Sequence, residues 1–169
     1  REDDACDECL QCRKVLHGNH PDVKTIVPAS KSRLIKLDAV ETMRDLAGYR
    51  PFEGAWRVFV IDDADRMNIA AQHFFLKTLE EPPSDTLFIL LSEWPRRLFE
   101  TIRSRCQPVQ FGALQPTTVA ELLRREKGMD AAEAGALAAL SQGQMSRAFD
   151  LADTPKRGVV LEMAQRLSE

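Results

Sequence analysis

Two kinds of hydrophobic pattern alternate along the first two thirds of the chain. Short apolar runs predict β-strands, and apolar residues three or four positions apart predict amphipathic helices. The predicted strands are 23–28, 57–65, 85–92 and 107–111, and the predicted helices between them are 38–49, 67–83 and 96–105. Because the apolar runs are continuous, we expect strands buried on both faces of an open parallel α/β sheet.

Several residues indicate where these helices begin and end. Asp38 and Asn68 are candidate N-caps, since their side chains can accept a hydrogen bond from a free backbone N–H. Gly48 lies near the end of the first helix, and Pro82 and Pro83 cannot continue the second one.

The pattern changes after Gln115. Three helical segments rich in Ala and Leu follow one another, and PKRGVVLEMAQRLSE begins a fourth. We therefore divide the chain into a cysteine-containing segment at 1–22, an α/β core at 23–112 and a small helical domain at 113–169.

Composition narrows the class of protein. The 169 residues are 44% hydrophobic and 29% charged, and no apolar run approaches the roughly 20 residues that span a membrane. The N-terminal sequence REDDACDECLQCRK does not resemble a signal peptide, so we expect a cytoplasmic protein without membrane contact. A net charge of -3 argues against a domain that coats nucleic acid by charge alone.

Three of the four cysteines, Cys6, Cys9 and Cys12, lie within seven residues. This clustering is typical of metal sites and unusual for disulfide frameworks. Tetrahedral zinc takes four ligands, so the cluster is one short, and His17 or His20 in the next loop could supply the fourth.

Two acids, Asp62 and Asp63, end the apolar run RVFVIDDAD. The arrangement has the appearance of a Walker B element, whose carboxylates serve a nucleotide-bound magnesium and an attacking water, although acids here can also simply cap the next turn. None of the eight glycines begins a GxxxxGK[ST] phosphate loop. Either such a loop precedes residue 1 in a longer protein, or the protein does not hydrolyse ATP.

Residues 74–111, FFLKTLEEPPSDTLFILLSEWPRRLFETIRSRCQPVQF, closely resemble bacterial clamp-loader subunits of DNA polymerase III, which belong to the AAA+ family. The L-K-T-L-E-E-P-P helix end, the strand after it and the S-R-C turn occur in the family's order, and the resemblance extends over 5–153. GNHPDV and PFEG favour the delta-prime type over the gamma/tau motor. The resemblance implies an AAA+ sheet with a zinc-module insertion and a helical lid, within an assembly that uses ATP to load a sliding clamp onto primed DNA during replication.

The resemblance assigns Arg105 of Ser104-Arg105-Cys106 as an arginine finger that reaches the ATP of a neighbouring subunit. A permanently charged, planar guanidinium suits that role, because it stabilises charge on a transferring phosphoryl group without a proton change. A local salt bridge is the alternative for Arg105. Cys106 would be a small buried residue of the turn and no metal ligand.

Other nucleotide-site positions match the family less well. Asp63 stands where ATP-hydrolysing relatives have glutamate, and Ser92 falls at the sensor 1 position but is followed by Glu93 and Trp94. Arg147 resembles the sensor 2 arginine, although a surface arginine would look the same. We therefore expect ATP and Mg only at a neighbouring subunit and no activity of this chain alone.

In the resembling family the fourth zinc ligand is a cysteine upstream of the other three. Cys6, Cys9 and Cys12 would then be the last three ligands of a structural zinc site, and zinc binding by this chain alone could be weak or absent. The implied partners are the gamma/tau and delta subunits, with the clamp and primed DNA reached through the assembly.

Two further functions stay open from the sequence. The chain could be part of a gamma/tau ATPase, or a zinc-dependent nucleic-acid-binding module. A basic stretch before the 38–49 helix could touch DNA phosphates or could simply be solvated; its members are Lys24, Lys31, Arg33 and Lys36.

Overall fold

A computed structural model describes residues 5–29, 31–154 and 158. The chain forms two compact units that divide between Pro108 and Val109. This division lies four residues before the one expected from the sequence. The first unit contains a β-sheet with helices, and the described part of the second unit is helical.

Three parallel strands form the sheet of the first unit. They are β1 (Val23–Ile26), β2 (Arg57–Ile61) and β3 (Thr86–Leu90), in the order β1-β2-β3. Ile61 of β2 is opposite Ile26 of β1 and Leu90 of β3. The carboxyl ends of the three strands therefore lie at one edge, and the predicted parallel α/β sheet is confirmed.

Among the described residues of the first unit, four helices and two short 3-10 turns accompany this sheet. The helices are α1 (Leu10–Leu16), α2 (Leu37–Ala47), α3 (Ile69–Glu80) and α4 (Glu100–Arg103). The 3-10 turns are Ala64–Arg66, directly after β2, and Pro95–Arg97, before α4. The predicted order of strands and helices holds from residue 23 to residue 105.

The N-cap predictions have different outcomes. Asn68 caps α3, and its side chain accepts the N–H of Ala71 at 2.8 Å. The Asp38 prediction is wrong, because Lys36, two residues earlier, is the N-cap of α2 and Asp38 lies in the first turn. Gly48 ends α2 as expected.

The core of the first unit lies between the sheet and helices α2, α3 and α4. Phe59 of β2 stacks on Phe88 of β3 with ring centroids 5.6 Å apart, and Phe75 of α3 meets Phe88 edge-on at 5.5 Å. Val40 and Met43 of α2 are buried in the same cluster. Alternate side chains of β2 and one apolar face of each helix thus form one continuous core.

The expectation that the strands are buried on both faces is wrong for β3, whereas no side chain of β2 is exposed. In β3 the side chains alternate, and Leu87 and Ile89 are 47% and 38% exposed. In the described part of the chain, the helices cover only the face that carries Phe59 and Phe88.

The first three predicted strands are shorter than expected, and the fourth is absent. β2 ends at Ile61 because Asp63 takes the left-handed conformation, with a φ of 51°, and starts a 3-10 turn. Residues 107–111, all of them described, form no strand. Val109 and Phe111 are 72% and 92% exposed, so the alternating pattern there has neither a paired strand nor a core to support it.

The second unit contains the three predicted helices, α5 (Pro116–Lys127), α6 (Ala131–Ser141) and α7 (Met145–Asp153). Their apolar faces share a core around Val119, Leu123 and Leu137. Gly143 joins α6 to α7 with a φ of 77°, and a Cβ on it would lie 2.5 Å from the carbonyl oxygen of Leu114. Glycine is therefore required at this turn. The predicted fourth helix lies outside the described residues, apart from Gly158.

None of the helices within the described ranges is long and apolar enough to cross a membrane.

Replacing Phe59 with alanine is expected to destabilise the first unit by about 3–5 kcal/mol, because it removes a fully buried ring stacked on Phe88. Urea unfolding followed by circular dichroism measures the loss. Phe111→Ala is the matched control and should change the free energy of unfolding by less than about 0.5 kcal/mol, since its side chain is exposed. Equal losses in the two variants would contradict this account of the core.

Candidate functional site

The predicted acid pair lies at the carboxyl edge of the sheet, directly after the central strand β2. Asp62 is exposed, and its carboxylate accepts the N–H of Asp63 at 3.0 Å. Asp63 is partly exposed and pairs with Arg66, whose Nε lies 3.0 Å from Oδ2. Asp62 is thus open to solvent, whereas Asp63 already has a cationic partner.

A third acid of the same stretch, Asp65, is more deeply placed than either predicted one. Its side chain is only 3% exposed, and Oδ1 accepts a hydrogen bond from the Ser92 hydroxyl at 2.8 Å. Arg97 lies 3.7 Å from the other carboxylate oxygen. Sequence reasoning missed Asp65, and the only signal was its position two residues after the acid pair.

Ser92 follows β3, and its hydroxyl is committed to the protein itself. Besides donating to Asp65, its oxygen accepts the N–H of Trp94 at 3.1 Å. Ser92 therefore fastens the loop after β3 to the 3-10 turn after β2.

Arg105 lies just after α4, where its guanidinium makes two local contacts. One nitrogen donates to the carbonyl oxygen of Thr101 at 3.0 Å, and another lies 2.9 Å from Oε1 of Glu80 at the end of α3. The Arg105 side chain is 37% exposed and that of Glu80 is 53% exposed. The local salt bridge that the sequence left open as the alternative for Arg105 is therefore present, on a side chain that is still partly exposed.

Gln72 of α3 fixes the segment that leads to Arg105. Its buried amide donates to the carbonyl oxygen of Met67 at 3.1 Å and accepts the N–H of Phe99, the N-cap of α4, at 2.8 Å. Ile102 of α4 is fully buried in the core. Arg105 thus stands at the end of a helix whose backbone is held firmly against α3.

Cys106, next to Arg105, packs partly buried against the core of the first unit. Burial raises the pKa of its thiol. It lies outside the cysteine cluster, as expected. In the second unit, Arg147 is exposed near the start of α7, and its guanidinium donates to the side chain of Gln142 at 3.2 Å.

The three N-terminal cysteines meet at the start of α1. Their sulfur atoms all lie within 4.8 Å of one another, and those of Cys6 and Cys12 are 3.9 Å apart. Cys9 is the N-cap of α1, and its sulfur accepts the N–H of Cys12 at 3.4 Å. Zn–S bonds of about 2.3 Å in a tetrahedron place sulfur atoms about 3.8 Å apart, so these three residues fit three ligands of one metal ion.

Hydrogen bonds give two of these thiols different acidities. Backbone N–H groups of Cys9 and Glu8 lower the pKa of Cys6 to about 7. The pKa of Cys12 is raised, chiefly by its side-chain hydrogen bond with Cys9. The thiolate, the form that binds metals, is therefore accessible at Cys6 near neutral pH.

Neither candidate histidine joins the cysteines in the described part of the chain. His17 is exposed and ends α1. His20 is buried, and its Nδ1 accepts the N–H of Asp22 at 3.1 Å. The contacts of His20 therefore serve the loop before β1.

Asp22, which precedes β1, is fully buried and binds the loop between α2 and β2. Its carboxylate accepts the backbone N–H groups of Phe52, Glu53 and Gly54 at 2.6, 2.7 and 2.9 Å. Arg57 adds a longer contact at 3.4 Å. The GNHPDV and PFEG segments, which the sequence singled out separately, thus meet through this carboxylate.

These contacts set the charge state of Asp22. Burial favours the neutral acid, but the three backbone N–H groups and Arg57 outweigh burial and lower the pKa of Asp22 to about 2. The carboxylate is therefore ionised throughout the physiological range.

The same loop also holds α1. Lys14 of α1 contacts both carboxylate oxygens of Glu53, at 2.7 and 2.6 Å. Asp22 fixes the backbone of Glu53, and the side chain of Glu53 fixes α1. The ion pair between Lys14 and Glu53 therefore links α1, which carries Cys12, to the loop before β2.

The basic stretch is exposed. Its four cations are Lys24, Lys31, Arg33 and Lys36. Arg33 also lines a shallow open depression at the carboxyl edge of the sheet, together with Pro28, Ala29, Asp63 and Arg66. Positive charge thus lies beside the acid pair.

Solved structures with the same fold place this sheet in a known class. The structure of a DNA polymerase III gamma subunit-related protein from Thermotoga maritima matches with a TM-score of 0.59 and 27% identity, over 87% of this chain and 44% of that one. The Thermotoga maritima RuvB Holliday junction branch migration motor matches with a TM-score of 0.60 at 13% identity, over 93% of this chain and 65% of that one. The first unit therefore has the α/β fold of AAA+ proteins.

Sequence comparison narrows the class. The family described as DNA polymerase III, delta subunit, matches residues 1–115. DNA polymerase III subunit delta' of Pseudomonas aeruginosa is 39% identical over 121 residues, and that of Bacillus subtilis is 36% identical over 118 residues. Each alignment covers 70% of this chain and 35% of the relative. Subunit tau of Bacillus subtilis is 34% identical over 158 residues, which are 89% of this chain and 27% of tau.

The chain belongs to the DNA polymerase III clamp-loader subunits of the delta-prime type. It spans about a third of the length of the delta-prime relatives named above.

Replacing Asp22 with asparagine is expected to lower the free energy of unfolding by roughly 2–3 kcal/mol at pH 7, because a buried charged acceptor of three N–H groups is lost. The pKa of Asp22 lies below that of an unfolded aspartate, so its stabilising effect is complete above about pH 5 and is lost as the pH falls towards 2. Urea unfolding of both proteins between pH 7 and 2.5 measures the difference, which should shrink by about 2 kcal/mol.

Asp62→Asn, which changes an exposed acid, is the control and should leave the free energy of unfolding at pH 7 unchanged. A difference between wild type and Asp22→Asn that stays constant down to pH 2.5 would show that the carboxylate does not hold the loop.

Proposed function

We propose that this chain is the part of a delta-prime subunit that lends Arg105 to an ATP site on a neighbouring clamp-loader subunit. ATP hydrolysis there would depend on closure of the interface, which couples turnover to release of the sliding clamp on primed DNA. The subunit itself would serve as a rigid interface partner with little or no activity of its own.

The observation that carries this proposal is the placement of Arg105. Gln72 and the buried Ile102 hold α4 in place, while the guanidinium is partly exposed and rests on a solvent-exposed carboxylate, Glu80. An exposed ion pair contributes only about 0–1 kcal/mol, so a triphosphate can take the place of Glu80 at low cost. The backbone that carries Arg105 is thus fixed, while its guanidinium can exchange Glu80 for another anion.

The acids at the sheet edge support a non-hydrolysing role. Asp63 is paired with Arg66, which leaves it poorly suited to activate an attacking water. Ser92 would fall at the sensor 1 position, but its hydroxyl donates its hydrogen bond to Asp65. Similarity to tau favours a second candidate, an ATPase subunit, and for that function Asp63 would have to leave Arg66.

Several further roles accompany this proposal. The helices α5, α6 and α7 would form the lid domain, with Arg147 as the counterpart of a sensor 2 arginine. The partners would be gamma/tau and delta in the cytoplasm, and exposed Lys24, Lys31 and Lys36 would face DNA phosphates. ATP and Mg would lie at the neighbouring subunit.

The cysteine cluster would hold a structural zinc ion through Cys6, Cys9 and Cys12, with a fourth cysteine from the segment before them. A closed site with four thiolates leaves no open position for a substrate, so the metal would stabilise the fold of this segment. The salt bridge between Lys14 and Glu53 would fix the zinc-bound segment to the loop that Asp22 anchors.

In a reconstituted loader, Arg105→Ala is expected to reduce ATP hydrolysis stimulated by clamp and DNA at the affected site by roughly tenfold or more, because no charge compensates the transferring phosphoryl group. Arg103→Ala, which changes an exposed arginine two residues earlier, is the matched control and should hydrolyse ATP like wild type.

Glu80→Gln provides a second comparison, since it removes only the resting partner of Arg105. That variant should retain stimulated hydrolysis. Unchanged hydrolysis in Arg105→Ala would refute the arginine-finger assignment.

The complete protein is expected to carry one zinc ion per chain, measured by elemental mass spectrometry. Cys9→Ser should lose most of this zinc, because a neutral hydroxyl replaces a thiolate ligand. Cys106→Ser is the control and should retain the metal, since Cys106 lies outside the cluster. A complete protein without zinc, or loss of zinc only in Cys106→Ser, would contradict the assignment.

A further inference from the structure

The segment that joins β3 to α4, residues 92–99, leads directly to the short helix that ends beside Arg105. Its middle part, residues 93–97, is exposed throughout, and even Trp94 is 60% exposed. The hydrophobic core therefore does not fix this part of the segment. Its position depends on polar contacts, because an exposed backbone with few buried apolar contacts otherwise opens easily.

Asp65 provides the first of these contacts. It lies in the 3-10 turn after β2, and its side chain is only 3% exposed. Its Oδ1 accepts the Ser92 hydroxyl at 2.8 Å, and the Ser92 oxygen in turn accepts the backbone N–H of Trp94 at 3.1 Å. Arg97 adds a longer and more exposed contact, 3.7 Å from Oδ2. One buried carboxylate thus holds the first half of the segment.

Main-chain hydrogen bonds place Asp65 where it can make these contacts. The N–H of Ala64 donates to the carbonyl oxygen of Leu91 at 2.8 Å, and the N–H of Leu91 donates to that of Ile61 at 2.9 Å. The turn after β2 is therefore tied to the residue directly before Ser92. Because the sheet already brings Asp65 and Ser92 together, little further conformational entropy is lost when they bond.

Gln72 of α3 holds the other end of the segment. It accepts the N–H of Phe99 at 2.8 Å and contacts the carbonyl oxygen of Arg97 at 3.4 Å. The same amide donates to the carbonyl oxygen of Met67, which ends the turn that carries Asp65, at 3.1 Å. The segment is thus attached at both ends to one continuous stretch of chain, residues 65–72.

The surroundings of Asp65 suit a positioning role better than ligand binding. Asp62 is exposed and the Asp63 side chain is 45% exposed, whereas that of Asp65 is almost completely buried. Both oxygens of Asp65 face groups of the segment itself, Ser92 and Arg97. Asp65 therefore affects function through the segment that it holds.

We propose that Asp65 is a positioning residue for Arg105. Its carboxylate fixes the start of the segment, and the segment sets the place at which α4 presents the guanidinium of Arg105. This inference rests on the proposed function, because Asp65 acts only through the arginine finger.

Stimulated ATP hydrolysis in a loader reconstituted from complete subunits measures this role. Asp65→Ala is expected to lower kcat by about tenfold with the KM for ATP unchanged, because a displaced guanidinium fails in the transition state while the neighbouring subunit still binds ATP. Asp65→Asn should retain most of the rate, since an amide oxygen can still accept the Ser92 hydroxyl. Glu93→Gln, which changes an exposed acid of the same segment, is the matched control and should hydrolyse ATP like wild type.

Combination with Arg105→Ala separates positioning from a general loss of stability. Asp65→Ala should lower hydrolysis in the wild-type background and have no further effect in Arg105→Ala, because both changes remove the same interaction. Hydrogen exchange of the free protein adds a readout that does not involve ATP. The backbone N–H groups of Trp94 and Arg97 should exchange faster in Asp65→Ala, and that of Phe75 in α3 should exchange at the wild-type rate.

Four results would overturn the inference alone. They are a wild-type kcat in Asp65→Ala when Arg105→Ala is impaired, a loss that recurs in the Arg105→Ala background, an equal loss in Glu93→Gln, and unchanged exchange at Trp94 and Arg97. Wild-type hydrolysis in Arg105→Ala is a different failure, since it would overturn the proposed function and this inference with it.

Discussion

Strand β2 pairs in parallel with β1 on one side and β3 on the other. This pairing determines where the residues at each end of β2 lie. At its start, Arg57 reaches Asp22, whose carboxylate fixes the adjacent loop. At its end, Asp62 and Asp63 emerge at the carboxyl edge between β1 and β3. One buried strand therefore positions an anchoring site at one edge and an acidic site at the other.

Asp22 and Arg105 are charged groups that the first unit holds in different ways. At the start of β2, burial and three backbone N–H groups commit Asp22 to one structural task and keep it ionised. Arg105, by contrast, contacts an exposed and exchangeable partner, Glu80. Exposed pairs of this kind cost little to break, so Arg105 can exchange Glu80 for another partner.

Local patterns were sufficient to predict the order of strands and helices and the Asn68 cap, because hydrophobic spacing and capping act within a few residues. They failed for residues 107–111, where a strand needs a partner that the alternation of Val109 and Phe111 does not reveal. They also missed Asp22 and Asp65. The hydrogen-bond partners of these two acids lie about thirty residues away, and those of Asp22 are backbone groups without a sequence signature.

The central claim is that Arg105 acts across a subunit interface, and a structure of the assembled loader bound to a non-hydrolysable ATP analogue tests it most directly. The account predicts that the guanidinium has left Glu80 and lies about 3 Å from a γ-phosphate oxygen held by the adjacent subunit. A closed interface in which Arg105 still contacts Glu80 and no phosphate would contradict it.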